Sequence, residues 1–263
     1  LDQKWYTVND IDYNAYFSQS SGMVLEALWD QCENGTVLLT FYAIDDVGNL
    51  QSESITIKKD VIDPIILILQ PTQSTLFGVE SPYFELDIQE VNIDEIWYQL
   101  GGDQEKFYIQ PLSGYVDQSK WNEMPNGTVS ISFYISDKGG NLNSQSVTVK
   151  KDSLKPEIAI HYPYHNGKFG ELAPEFNLSI SEANLDKVWY LCNGKKQFIT
   201  SLQGNINQNL WDQLPNGSVI IDFYANDSVG NINNSHIRVQ KDIFAPILTI
   251  LSPANNNVSR EAP

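Results

Sequence analysis

Leu214-Pro-Asn-Gly-Ser-Val-Ile-Ile-Asp-Phe-Tyr-Ala-Asn-Asp-Ser-Val-Gly-Asn231 holds three signals in one stretch. Leu-Pro-Asn-Gly places Pro at the second and Gly at the fourth position of a type I turn. Val219, Ile221, Phe223 and Ala225 then recur every second residue, the pattern of an antiparallel strand with one buried face. Asp227-Ser-Val-Gly-Asn231 closes the stretch as a hairpin turn, because the Asp accepts a backbone N–H two residues on and the Gly supplies a positive φ. A turn, a half-buried strand and a hairpin together predict an all-β fold.

Working outward, the pattern repeats. Trp5-Tyr6, Trp97-Tyr98 and Trp189-Tyr190 lie 92 residues apart. Trp29, Trp121 and Trp211 follow, then Asn-Gly at Asn34, Asn126 and Asn216, Phe-Tyr at Phe41, Phe133 and Phe223, and Asp-x-x-Gly-Asn from Asp45, Asp137 and Asp227. Each unit closes on Lys-Asp and a proline, Pro64, Pro156 or Pro246. This period exceeds the roughly 20–50 residues of solenoid units. It suits a small domain with its own core, copied in tandem.

Further strands are expected from Pro64 to Leu69, Phe84 to Ile88, Ile96 to Leu100, Phe107 to Ile109 and Ser146 to Val149. Val116, Trp121 and Met124, with Ile206, Trp211 and Leu214 in the sister unit, are spaced for a single helical turn plugging one end. Seven short strands per unit, with turns every 8–12 residues, point to tandem immunoglobulin-like β-sandwiches arranged as a rod. The stretch from Leu214 to Asn231, followed by Lys-Asp-x-x-x-Pro, resembles the Ig-like repeats of large bacterial and archaeal cell-surface proteins and adhesins. That resemblance covers the chain and implies an exported, rod-like stalk without catalysis.

Register sets the expected divisions. Leu1 aligns with Ile93 and Leu185, so residues 1–62 read as a domain lacking its first two strands. Residues 63–154 and 155–244 read as complete domains, and 245–263 as the first strand, Ile247 to Leu251, of another. Linkers such as Lys151-Asp-Ser-Leu-Lys-Pro156 leave little slack, and proline restricts them further.

Composition excludes several functions. The net charge is −17, from 33 acidic against 16 basic residues, which repels nucleic acid and favours cations. The longest apolar stretch, Ile65 to Leu69, is too short to span a bilayer. Cys32 and Cys192 stand where sister units carry apolar side chains, and read as small buried hydrophobes. His161, His165 and His236 do not recur between units, and no phosphate loop or nucleophile elbow is present, so no enzyme is expected.

Three candidate sites remain. Loops at one pole of each sandwich gather hard oxygen donors suited to calcium. In the second unit these are Asp60, Asp63, Glu90, Asn92, Asp94, Asp137 and Asn141; in the third, Asp152, Glu182, Asn184, Asp186, Asp227 and Asn231. Lys59, Lys151 and Lys241 stand nearby in sequence to neutralise the linker acids. Glycosylation sequons occur at Asn34, Asn126, Asn177, Asn216, Asn226, Asn233 and Asn257. Strand parity turns Trp97 and Trp189 outward beside Tyr134 and Tyr224, giving an aromatic stripe for glycans or a neighbouring molecule. The expected role is an extracellular structural stalk in a surface coat or filament, with neighbouring Ig-like domains, other copies or surface glycans as partners. The alternative is a repeated glycan- or protein-binding adhesin module acting by avidity.

Overall fold

The computed structural model describes residues 3–9, 11–251, 258 and 260. The chain forms two compact units, Leu1–Lys151 and Asp152–Pro263. Strands dominate both, and each unit holds one complete β-sandwich of immunoglobulin-like architecture.

In the first unit, a three-stranded sheet runs Ser113–Tyr115, Tyr83–Gln89, Ile65–Gln70. It packs on a five-stranded sheet in the order Leu76–Phe77, Leu142–Lys151, Gly127–Asp137, Ile93–Leu100, Phe107–Tyr108. This makes eight strands rather than the seven expected. The first strand ends at Pro71, and the chain then crosses to the other sheet, where Leu76–Phe77 pairs parallel with Lys150–Lys151. The predicted alternation holds: Val129, Ile131, Phe133 and Ile135 all face the core and are buried. Ile66, Phe84 and Leu86 meet them from the opposite sheet.

The helical plug is Gln118–Glu123. Asp117 caps it by accepting the Lys120 N–H at 2.8 Å, and Asp117 N donates to the Tyr98 hydroxyl at 2.7 Å. Trp121 is fully buried, its indole N–H donating to Gly78 O at 3.1 Å. Truncating such a side chain costs about 3–5 kcal/mol. The second unit repeats the plan, with sheets Glu157–Tyr162, Glu175–Ser181, Gln203–Asn205 and Lys168–Phe169, Ile232–Lys241, Gly217–Asp227, Leu185–Cys192, Lys195–Ile199. Its plug is Gln208–Asp212, and Trp211 donates to Gly170 O at 3.0 Å.

Residues 3–59 form one sheet, Ala15–Tyr16, Gln3–Val8, Gly35–Ile44, Leu50–Lys59, with the helix Glu26–Gln31. Among the described residues no second sheet faces it. Phe41 is accordingly 37% exposed, whereas its counterparts Phe133 and Phe223 are fully buried. The strand expected at Ile247 to Leu251 does not form, and these residues stand open to solvent. In the complete sandwiches the corresponding strand bonds to Tyr83–Gln89 or Glu175–Ser181.

Candidate functional site at the acidic pole

Each Asp-x-x-Gly-Asn turn closes on itself. Asp137 Oδ1 accepts the Asn141 N–H at 2.9 Å and Oδ2 accepts the Asn141 side-chain amide at 2.8 Å, while Gly140 takes φ +88°. Asp227 and Asn231 repeat this at 2.8 and 2.7 Å, and Asp45 and Asn49 at 2.8 and 2.8 Å. The Asn141 side-chain amide, helped by backbone N–H groups, holds Asp137 below the usual carboxylate range against the opposing pull of burial.

In the two complete sandwiches the turn also grips the incoming chain. Asn141 Nδ2 donates to Asp60 O at 3.1 Å, and Asn231 Nδ2 to Asp152 O at 2.9 Å. Asn143 Nδ2 reaches Pro64 O at 2.8 Å and Asn233 Nδ2 reaches Pro156 O at 2.9 Å. From the neighbouring loop, Asn92 donates its N–H to Glu90 Oε1 at 2.6 Å and its amide to Asp60 Oδ2 at 3.1 Å. Asn184 does the same to Glu182 and Asp152, at 2.8 and 2.7 Å.

These bonds draw carboxylates together. Asp60, Glu90 and Asp137 bring one oxygen each within 4.8 Å of one another, and so do Asp152, Glu182 and Asp227. Asp63, Asp94 and Asp186 lie outside the trios; Asp186 instead accepts from Asn226 Nδ2 at 3.2 Å. Among the described residues no lysine or arginine pairs with either trio. The donors suit a hard divalent cation in type, but three carboxylates supply only part of the six to eight oxygens calcium takes, leaving the rest to water or backbone. The side-chain amides of Asn92 and Asn141 face the carboxylates with N–H rather than oxygen, so they serve as hydrogen-bond donors there.

The lysines do not neutralise the linker acids. Lys59, Lys151 and Lys241 are buried, and each ammonium turns back into its own module. Lys151 Nζ donates to the carbonyls of Trp121, Asn122 and Met124 at 2.6, 3.3 and 2.7 Å, and Lys241 Nζ to Trp211, Asp212 and Leu214 at 2.7, 3.5 and 2.8 Å. Lys59 Nζ bonds Trp29 O and Cys32 O at 2.7 and 2.9 Å. The end of each plug helix leaves carbonyls without intrahelical partners, and the ammonium fills that need while lying over the plug tryptophan. Parity could have revealed this, since Val147, Val149 and Lys151 alternate on the inward face.

The aromatic stripe leaves little of its indole surface open. Trp97 and Trp189 sit on the outer face, paired with Tyr134 and Tyr224, but they are only 6% and 7% exposed. Each indole stacks on its tyrosine, centroids 5.3 and 5.4 Å apart, and is covered by Lys106 or Lys196 with Nζ 3.8 or 3.9 Å from the ring centroid. A lysine just before the neighbouring strand (Lys106) or within it (Lys196) thus occupies the face a ligand would need.

Both cysteines are free and buried, and burial pushes the Cys192 thiol up. His161 Nε2 lies 2.9 Å from Ser179 Oγ. Asn34 and Asn126 stand exposed in turns, whereas Asn177, Asn226 and Asn233 lie within strands. Asn216 is in a turn with its Nδ2 buried, and Asn257 lies outside the described residues. Among the described residues no helix is long and apolar enough to cross a membrane.

No family model matches the chain, and no curated protein matches it. Among solved structures it is similar to the fibronectin(III)-like modules of Clostridium thermocellum CbhA, at 11% identity and TM-score 0.37, over 68% of this chain and 95% of that one. It is similar to a 1.5-MDa bacterial ice-binding adhesin at 10% identity and TM-score 0.42, over 92% and 86%. A Ca2+-stabilized adhesin of an Antarctic bacterium gives 11% identity and TM-score 0.44, over 92% and 66%. At these identities and TM-scores, function has to be read from the chain's own residues.

Proposed function

We propose that this chain is a segment of an exported structural stalk, a spacer built of Ig-like modules divided at 62/63, 154/155 and 244/245, that holds other parts away from a cell surface or forms part of a surface coat. One observation carries the reading. Lys59 is anchored in the sheet that precedes the linker, and Asp60, the next residue, is held by Asn92 and Asn141 of the sandwich that follows. Asp152 is held in the second unit by the same residue types, Asn184 and Asn231. A tether meant to flex has no use for a backbone carbonyl fixed by an asparagine side-chain amide. A spacer meant to keep its length does.

Calcium belongs to the proposal as a reinforcement. Asp60, Glu90 and Asp137, and Asp152, Glu182 and Asp227, would hold it, and its charge would relieve the repulsion within each trio. Partners are neighbouring modules of the same protein and other copies of it; the stacked lysines on Trp97 and Trp189 weigh against the adhesin alternative at that face.

Limited thermolysin digestion tests the spacer reading. Thermolysin cuts before large apolar residues, and Val61, Ile62 and Leu154 stand exposed in the linkers, so a flexible tether is cut there first. The proposal requires that all three resist cleavage in the native chain and become cleavable once urea opens the modules. Early cutting at any of them in the native protein would refute it.

A further inference from the structure

Phe84 and Phe176 are knobs that bridge the two sheets of their sandwiches. Phe84 is buried, its ring centroid 5.9 Å from Tyr98 and 5.5 Å from Phe133. Phe176 lies 6.2 and 5.7 Å from Tyr190 and Phe223. A glycine stands under each knob: a Cβ on Gly114 or Gly204 would come within 3.3 or 3.0 Å of the phenylalanine Cζ. Both knobs sit in strands of one pattern, Pro82-x-Phe84-x-Leu86-x-Ile88 and Pro174-x-Phe176-x-Leu178-x-Ile180. Each of these strands pairs antiparallel with the one that carries the glycine, Phe84 opposite Gly114 and Phe176 opposite Gly204.

Residues 3–59 build the same socket without a knob. Tyr6, Phe41 and Gly22 take the places of Tyr98, Phe133 and Gly114. The rings of Tyr6 and Phe41 stand 5.8 Å apart, against 5.9 Å for Tyr98 and Phe133 and 5.9 Å for Tyr190 and Phe223. The Tyr6 hydroxyl accepts the Leu25 N–H at 2.7 Å, as Tyr98 accepts from Asp117 at 2.7 Å, so the segment after the glycine is held in the same way. Together with Phe17, Met23 and Val24 these side chains line a cavity of about 210 Å³. Among the described residues nothing comes within 4 Å of where a Gly22 Cβ would stand, and residues 21–23 join no ladder. The socket is preformed, which spares a ligand the cost of ordering it.

We propose that Tyr6, Gly22 and Phe41 form a docking socket for an extended strand of a partner protein with the pattern Pro-x-Phe-x-Leu-x-Ile. The partner strand adds antiparallel to residues 21–23, and its phenylalanine enters between Tyr6 and Phe41 over Gly22. Its leucine, two residues on, falls on the same inward side and covers the open face of the sheet. Within this chain the two strands of that pattern are committed to their own sandwiches, with Phe84 and Phe176 only 3% and 4% exposed. Ile247 to Leu251 stand open to solvent but bring no aromatic ring. A partner's strand is the occupant whose shape the sister sockets define. The socket does not depend on the spacer role.

The test is calorimetric titration of the full chain with a synthetic peptide of residues 81–89. One peptide is expected to bind per chain, and its Phe84→Ala form to bind at least about tenfold more weakly, because a buried aromatic anchor carries much of such an interface. Gly22→Leu in the chain locates the site. Its side chain enters open space in the free module, so the circular dichroism spectrum should not change, but it stands where the phenylalanine ring must go and should abolish binding. No binding to the native chain, or binding that Phe84→Ala and Gly22→Leu leave unchanged, would overturn the proposal. So would self-association of the chain that Leu248→Asp removes, since the tail of a second copy would then be the occupant. Thermolysin-resistant linkers without peptide binding would sink the socket and leave the spacer reading intact; peptide binding with early cutting at Val61 would do the reverse.

Discussion

Asn141 donates its side-chain amide to the carbonyl oxygen of Asp60, 3.1 Å away and 81 positions earlier in the chain. The same nitrogen returns to Asp137 Oδ2 at 2.8 Å, so both amide hydrogens are used. One side chain therefore closes a hairpin and fixes the linker together. Asn231 repeats the arrangement in the second unit, and among the described residues Asn49 closes only its own hairpin.

That contrast grades three substitutions. Asn141→Ala loses a bond to a carboxylate and a bond to a carbonyl, and should lower stability by about 2–3 kcal/mol in urea titration. Asn231→Ala should match it. Asn49→Ala, at an exposed turn, should cost no more than about 1 kcal/mol. Equal losses at all three positions would mean that the linker bond adds nothing.

Acid should weaken the modules through the same turn. Asp137 is held below its ordinary range by the Asn141 amide, so the unfolded chain takes up its proton at a higher pH than the native one. The stabilisation is complete above the ordinary aspartate value and is lost as pH falls through the depressed native value. Asp45 is lowered by the matching bonds from Asn49. Melting midpoints followed downward from neutral pH should fall through the acid range, and Asp137→Asn should flatten that fall while lowering the neutral midpoint.

Lys151→Met should be costly although it makes the core more apolar. Three carbonyls accept from the ammonium, and methionine leaves them buried with fewer partners. A loss of about 3 kcal/mol is expected, with Lys150→Met, on the exposed face of the same strand, near neutral. Chemical denaturation of both variants measures the difference.

Calcium is tested by thermal melts in calcium and in EDTA. At about a hundredfold excess over its dissociation constant, a native-state ligand adds about 2.7 kcal/mol per site. The midpoint should drop in EDTA and recover when calcium is restored, and a double Asp60→Ala, Asp152→Ala variant should show no response. An EDTA-insensitive native chain would remove calcium from the account and leave the asparagine clamps as the sole linker fixation.

The sandwich was legible because it obeys simple periods: alternation over Val129 to Ile135, a capped helical turn around Trp121, and Asp-x-x-Gly-Asn closing each hairpin. The pole was legible as a gathering of acids, since topology brings those loops together. What escaped was the direction of individual side chains. Lys151 reads as a surface charge until its parity with Val147 and Val149 is followed to the end of the strand. Trp97 does point outward, but its cover depends on where Lys106 falls, and the short pairing of Phe107–Tyr108 with Trp97–Tyr98 has no register signal in the sequence. Asn143 and Asn233 were missed as linker clamps because the first repeat carries Gln51 at that place.

Spin labels at Ser52→Cys and Ser144→Cys, both exposed, flank the Asp60 linker, and Cys32 and Cys192 are buried away from the reagent. Pulsed electron paramagnetic resonance then reads the distribution of distances across the clamped segment. The account predicts one narrow peak that broadens in Asn141→Ala. A broad distribution in the native chain, unchanged by that substitution, would contradict it.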